Sequence, residues 1–269
     1  MRRLIWLTLF LLALCQLPAG AKQVNSSGDV GAAAAYSKDE LTDTKDKPAL
    51  SEQASKILTR MTEFITAAPA FTMIGDSGNE ELQSDGQLLE FGAHLTLAIQ
   101  RPSQANLRID TRDGANVTLI LDGEEISVYS VIENTYVYDT TSQPGDINTS
   151  LDFLAAQFGV PRQLSFFLSK DLTASLSRVK SGHRVGESII AGVLCDQLAL
   201  RNENTDVQMW IEKGNEPVPR RIVITHKGLQ GQPRVWVQFA EWDFSPEFSE
   251  HIFMHSPPQH AERVGFLAE

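Results

Sequence analysis

A serine between an aspartate and a glycine, three histidines near the C-terminus and one cysteine far from the N-terminus are the residues whose types could do chemistry. Ser77 lies in "GDSG" (Gly75–Gly78), the form of a serine-protease nucleophile loop. That arrangement needs a histidine earlier in the chain to take the proton, and none precedes His94; no Gly-x-Ser-x-Gly elbow is present. Asp76-Ser77-Gly78-Asn79 therefore reads as a turn. His251, His255 and His260 invite a metal, but on a strand residues four apart lie about 13 Å apart, too far to share one ion. Cys195 sits in an alternating run with no second cysteine near it, the setting of an inert buried thiol. The pairs Glu80-Glu81 and Glu124-Glu125 read as solvated turn residues, and no glycine-rich phosphate loop occurs. No enzyme activity, cofactor or metal is expected.

A different kind of chemistry is suggested by "LTLAIQRPSQANLRID" (Leu95–Asp110). Leu95, Leu97 and Ile99 share one strand face, Leu107 and Ile109 share the next, and Arg101-Pro102 stands between the two runs. One reading is a hairpin corner with a solvated charge. The other places a guanidinium at the mouth of an apolar face.

The elements that position these residues begin after a leader. "MRRLIWLTLFLLALCQLPAGA" has a basic start at Arg2 and Arg3, an apolar run from Leu4 to Leu14 and a small-residue cleavage site, the pattern of a secretory signal over residues 1–21. The apolar run is too short to span a membrane. Lipidation at Cys15 is disfavoured by the bulky Leu14 before it. Loss of Arg2 and Arg3 leaves 21 of the 23 basic residues against 34 acidic ones, a net charge of −13. Such a chain is poorly suited to nucleic acid or to anionic membrane surfaces. Cys195 then has no partner for an intramolecular disulfide, so stability must come from a core. Residues 22–48, rich in Ser, Ala, Gly, Asp and Lys with Tyr36 the one aromatic, read as a disordered acidic tether. Residues 49–269 form one domain.

That domain opens with an amphipathic helix, Leu50–Ala67, capped by Ser51 and closed by Pro69. The period then becomes two. Strands are expected over Ala70–Asp76, Gln87–Gln100, Ala105–Thr111, Asn116–Leu121, Glu125–Val131 and Thr135–Asp139, with a tight turn at Asp122-Gly123. Helices follow over Ser150–Leu168, the first starting at Thr149-x-x-Asp152 and ending at Gly159, the second opening at Pro161. Strands resume at His183–Ile190, Gly192–Arg201, Asp206–Glu212, Arg220–His226 and Arg234–Trp242, with a short last one at Ile252–Met254. Val207, Met209 and Ile211 share one face of their strand, opposite Gln208, Trp210 and Glu212. Val235, Val237 and Phe239 likewise oppose Trp236 and Gln238. The expected fold is mainly β: a curled antiparallel sheet, a half-open barrel of about eleven strands, with helices covering its concave face.

The order of these landmarks resembles the LolA-like superfamily of periplasmic lipoprotein carriers. It runs from the leading helix through "RP", "LRID" and "LILDGEEISVYS" to "MWIEKGNEPVPRRIVIT" and "IFMHSPP". "VGESIIAGVLCDQLAL", "PVPRRIVITHKGLQGQP" and "FAEWDFSPEF" look closer still to a family of predicted periplasmic proteins, which implies a fold and a compartment but no activity. The acidic tether and "GVLCDQLAL" depart from the carriers. The resemblance implies a periplasmic protein that binds a hydrophobic ligand, a lipid or a lipoprotein acyl chain, on the face formed by Leu97, Ile99, Leu107, Val207, Met209 and Ile211. In the carriers an arginine before a proline bonds the helical lid, and Arg101 matches that position. The alternative is an envelope protein-interaction or sensing domain whose groove is filled by its own helices. A monomer is expected in either case.

Deleting residues 22–48 should leave the melting temperature within a few degrees of the full chain, because the tether buries little. A larger fall in differential scanning calorimetry would mean that it packs on the domain.

Overall fold

Alternation of apolar and polar side chains builds one sheet here, and the two helices among the described residues cover it. The computed structural model describes residues 50–132, 135–158, 179–249, 251–255 and 259–264. Helix α1 spans Glu52–Ala67; Ser51 Oγ accepts the Ala54 N–H at 3.3 Å, and Ala54, Leu58, Met61 and Ile65 form its buried stripe. The first group of strands is β1 (Ala70–Leu82), β2 (Leu88–Gln100), β3 (Gln104–Thr111), β4 (Asn116–Leu121), β5 (Glu125–Ile132) and β6 (Thr135–Ser142). Helix α2 (Ile147–Phe158) follows. The second group is β7 (Ser181–Ile190), β8 (Val193–Arg201), β9 (Thr205–Glu212), β10 (Pro219–His226) and β11 (Arg234–Asp243), before the two-residue β12 (Glu262–Arg263).

The order across the sheet is β12-β6-β5-β4-β3-β2-β1-β11-β10-β9-β8-β7. Two antiparallel meanders are thus joined at the centre, where the first strand pairs with the eleventh from Thr72↔Asp243 to Asn79↔Val235. β12 alone runs parallel to its neighbour. The sheet does not close: β7 and β12 are its edges. Twelve strands in an open sheet favour a curl, and the arrangement is a mainly β half-barrel with the helices on one face. Because β6 and β7 lie in opposite halves, residues 143–180 must join one side of the sheet to the other, and α2 lies in that connection.

The core lies on the helix side, here called the inner face. Phe71 and Met73 of β1, Leu95, Leu97 and Ile99 of β2, Leu107 and Ile109 of β3 and Leu121 of β4 are all nearly inaccessible. They pack with the stripe of α1 and with Ile147, Leu151 and Leu154 of α2. A slip of one residue in any strand would turn its apolar set outward, so the alternation fixes the register.

Four expectations are corrected. Asp76–Asn79 is not a turn: β1 continues through it to Leu82. Gly78 there allows the Trp236 indole to lie against the strand, since a Cβ at Gly78 would stand 2.5 Å from Trp236 Nε1. Glu80 is correspondingly no solvated turn residue; it is bonded by Arg234, Nη2 to Oε1 at 2.7 Å. α2 begins two residues before Thr149, with Asp146 Oδ1 accepting the Thr149 N–H at 2.9 Å. Ile252–Met254 is a turn within a strap that crosses the outer face. Asn106 Nδ2 donates to the Ile252 carbonyl at 2.6 Å, buried Phe253 packs edge-on against Phe248 at 5.0 Å, and His255 stacks on Tyr129 at 4.8 Å. The signal, the tether and the helix expected from Pro161 lie outside the described residues.

Two glycines test how closely the strands approach. A Cβ at Gly75 would stand 2.6 Å from the Gln238 carbonyl oxygen and 3.3 Å from Phe239 Cα, both backbone atoms at the irregularity between β1 and β11. A Cβ at Gly92 meets the tip of the Arg112 side chain, which can swing away. Gly75→Ala should lose about 1–3 kcal/mol in urea unfolding and Gly92→Ala less than about 0.5 kcal/mol. Equal losses would contradict the close approach at the centre of the sheet.

Candidate functional site

Of the seven side chains expected to contact a ligand, five lie sealed beneath the helices. Leu97, Ile99, Leu107, Met209 and Ile211 expose 5% or less of their surface. Val207 is only half-buried. Strand pairing places it in a row that crosses the inner face: Leu200, Val207, Ile224 and Val235, then Asn79 and Phe91. Ile224 and Val235 are also half-buried, and Phe91 is 37% exposed. The apolar face is therefore closed over one part of the sheet and less fully covered along this row.

The seventh residue, Arg101, lies in the turn between β2 and β3, and it is not a solvated corner charge. Its Nε donates to the carbonyl of Ala68, the C-cap of α1, at 3.2 Å, and its backbone N–H donates to Pro69 O at 2.9 Å. The guanidinium stands 6.0 Å from the Phe71 ring, and burial lowers its pKa from the usual arginine value. Phe71 belongs to a group of rings that seats the same end of the helix: Phe64 meets Phe244 edge-on at 4.7 Å, and Phe71 lies 5.8 Å from both Trp242 and Phe244.

The same corner holds the second helix. Pro102 O accepts the N–H of Ile147, the first residue of α2, at 3.0 Å, and Ser103 O accepts from Gln143 Nε2 at 2.9 Å. Three consecutive residues thus fasten the end of one covering helix and the start of the other. Elsewhere α1 is tied at Ser51, whose N–H donates to Gly182 O at 2.9 Å, and at Arg60, whose Nη2 donates to Gly214 O at 2.8 Å. These polar ties are few beside the apolar contact, so the helices rest on the sheet through dispersion and hydrophobic burial with a small number of directed bonds.

Among the described residues no three His, Cys, Asp or Glu side chains are grouped as a metal site. Ser77 Oγ makes only a long contact, 3.5 Å, to Ala93 O. Cys195 is buried; burial raises its thiol pKa, and the charge of Glu212 adds to that.

Residues 54–267 match the family described as "Predicted periplasmic protein (DUF2092)". The chain belongs to that family. No curated protein matches the sequence. Among solved structures it is similar to LprF from Mycobacterium bovis, with a TM-score of 0.47 and 16% identity over 74% of this chain and 96% of that one. The lipoprotein LppX of Mycobacterium tuberculosis gives 0.43 and 13% over 72% and 98%. The LolA superfamily protein NE2245 from Nitrosomonas europaea gives 0.35 and 10% over 75% and 97%. Among the described residues of this predicted periplasmic protein, no helix is long and apolar enough to cross a membrane.

Sequence reasoning did not find Ala68 as the partner of Arg101, nor the tie from Pro102 to α2. A main-chain acceptor carries no signature in its side chain. The sequence did hold one cue: Pro69 stops α1 and leaves its last carbonyls without intrahelical donors, so a nearby arginine is a natural partner.

A buried, proton-retaining thiol reacts slowly. Cys195 in the native protein should react with a chromogenic disulfide reagent at least tenfold more slowly than in urea, and Cys195→Ala should lose about 1–3 kcal/mol. Labelling at the denatured rate would contradict its burial.

Proposed function

We propose that this protein is exported to the periplasm and binds a hydrophobic ligand, a lipid or acyl chain, on the inner face of its sheet. Loading requires α1 and α2 to move off that face, and the Arg101-Pro102-Ser103 corner sets how readily they do so. The observation that carries the reading is the corner's double hold: Arg101 on the C-cap carbonyl of α1 and Pro102 on the first N–H of α2. Loosening one turn acts on both helices, and the surface beneath them is apolar on every strand from β8 to β4. Arginine suits this place because its planar fork offers several directed donors and stays charged.

A second reading draws on different residues. Val185 and Ile189 of edge strand β7 and Leu194 of β8 are 54%, 68% and 45% exposed. Permanently seated helices, with this apolar margin facing an envelope protein, would make the chain an interaction domain.

Arg101→Leu tests the first reading. A charged donor on a neutral carbonyl contributes about 1.5–3 kcal/mol, which shifts an open-to-closed ratio roughly ten- to a hundredfold. The variant should bind an anilinonaphthalene dye and retain phospholipid more strongly than the parent at unchanged far-ultraviolet dichroism, with Arg101→Lys between them. Identical dye binding and stability in all three proteins would remove the latch.

A further inference from the structure

The turn that joins β7 to β8 is apolar to its end: "IIAGVL" (Ile189–Leu194) carries the chain through its reversal without a polar side chain. Ile190 pairs with Val193, so Ala191 and Gly192 are the two turn residues. Their φ angles are 48° and 86°, as in the two-residue hairpin turn that favours Asn-Gly. The left-handed region is unfavourable for alanine and readily adopted by asparagine, so backbone preference favours a polar residue where the chain keeps an apolar one. Ile189 is 68% and Leu194 45% exposed, Ala191 is exposed, and Ile190 and Val193 are half-buried. A Cβ at Gly192 would meet nothing within 4 Å, so the space at the tip is open.

Charge begins directly behind the tip, and it cancels. Glu187 pairs across the hairpin with Asp196, two positions behind the Ile189–Leu194 pair, or about 7 Å along the strands. Arg184 Nε donates to Asp196 Oδ1 at 2.7 Å and Arg184 Nη2 to Glu187 Oε1 at 3.1 Å, while Lys213 Nζ also bonds Glu187. Lys213 adjoins the tip, since its backbone N–H donates to Leu194 O at 3.0 Å. On the outer face Arg220 Nε donates to Glu212 Oε2 at 2.7 Å. Arg184, Lys213 and Arg220 thus balance Glu187, Asp196 and Glu212. The turn after β9 adds one group of each sign, Glu216 and the Arg60 of α1 that donates to Gly214 O. In a chain with formal net charge −11 this collar is neutral.

We infer that this hairpin tip docks the protein on a zwitterionic lipid surface, with Ile189, Ala191 and Leu194 entering the apolar side of the head-group layer and the ion-paired collar resting among the head groups. The apolar depth of about 7 Å lies within the roughly 5–10 Å that interfacial elements reach. Paired charges of both signs match head groups that carry both signs, whereas an anionic surface repels the acidic remainder of the chain. Ile189 pairs with Leu194, which lies on the same side of β8 as Leu198 and Leu200, so a bilayer at the tip adjoins the inner face. The inference goes beyond the ligand reading and does not require it: helices that never lift would leave the tip unchanged.

Flotation of the mature protein with vesicles of phosphatidylethanolamine and phosphatidylcholine tests this. The parent should float with the vesicles, and the Ile189→Ser/Leu194→Ser double variant should partition at least about tenfold more weakly. Replacing about a third of the lipid by phosphatidylglycerol should weaken the parent's binding about threefold or more. A polarity-sensitive fluorophore attached through Ala191→Cys should brighten when the zwitterionic vesicles are added; buried Cys195 does not compete for the label, and this variant reports even where the double variant does not fold. A parent that stays in the lipid-free fractions, a label that vesicles leave unchanged, or equal flotation of the parent and a folded double variant would overturn the inference. Tighter binding to the anionic vesicles would overturn the match to a zwitterionic surface. A parent dimer in sedimentation velocity that the double variant loses, without flotation, would assign the tip to a second copy and overturn it likewise. Dye binding by Arg101→Leu is read without vesicles, so failure here leaves the inner-face reading to its own test.

Discussion

The inner face of the sheet is apolar on nearly every strand, and keeping it from water is the constraint on which the rest of the structure depends. An open half-barrel cannot hide that face by closing on itself. The chain meets the need with helices from two places: α1, which precedes the sheet, and α2, in the connection from β6 to β7. Ile147, Leu151 and Leu154 of α2 bury their apolar side chains against the inner face. Each fully buried Leu, Ile or Phe contributes about 1.5–3 kcal/mol. The cover is therefore held chiefly by area, and its few directed bonds decide where it is fixed.

Those bonds converge on one turn. Arg101 reaches back 33 residues to Ala68, and Pro102 O reaches forward to Ile147. An arginine bonded to carbonyls is a moderate tie. Under the proposed function, such a tie suits a contact that is made and broken better than a buried ion pair, where removing one partner would leave an uncompensated charge. The ring group around Phe71 and Trp242 gives the end of α1 a fixed seat. The outer face is treated differently. There Asn106 Nδ2 bonds the Ile252 carbonyl of the C-terminal strap, and Trp236 lies against Gly78 with Arg221 5.0 Å over its ring.

How much of this was legible in the sequence follows from the range of the interactions. β4 appears with the bounds its alternation implies, and β3, β8, β9 and β10 fall within a residue, because each carries its own period-two pattern and turn signals. The alternation of β1 stops at Asp76, whereas the strand runs on to Leu82. Its second half puts Ser77, Asn79 and Glu81 on the inner side and glycine at 75 and 78, so local propensity favours a turn, and only pairing with Phe91 and Val235 on either side makes it a strand. The Ile252–Met254 turn was read as a strand because Phe253 is an isolated apolar anchor, not part of an alternating run. In the candidate site, the residues facing inward were legible from parity alone. Which of them are sealed and that Val207 borders a cleft depend on contacts between distant segments.

The central claim is that the inner face holds an acyl-bearing ligand. The most direct measurement is native mass spectrometry of the protein taken from its own periplasm without detergent. The account predicts a fraction of molecules carrying a discrete lipid-sized mass that is lost on denaturation, and a larger fraction for Arg101→Leu. Both proteins at the bare polypeptide mass, in samples whose folding is confirmed, would contradict it.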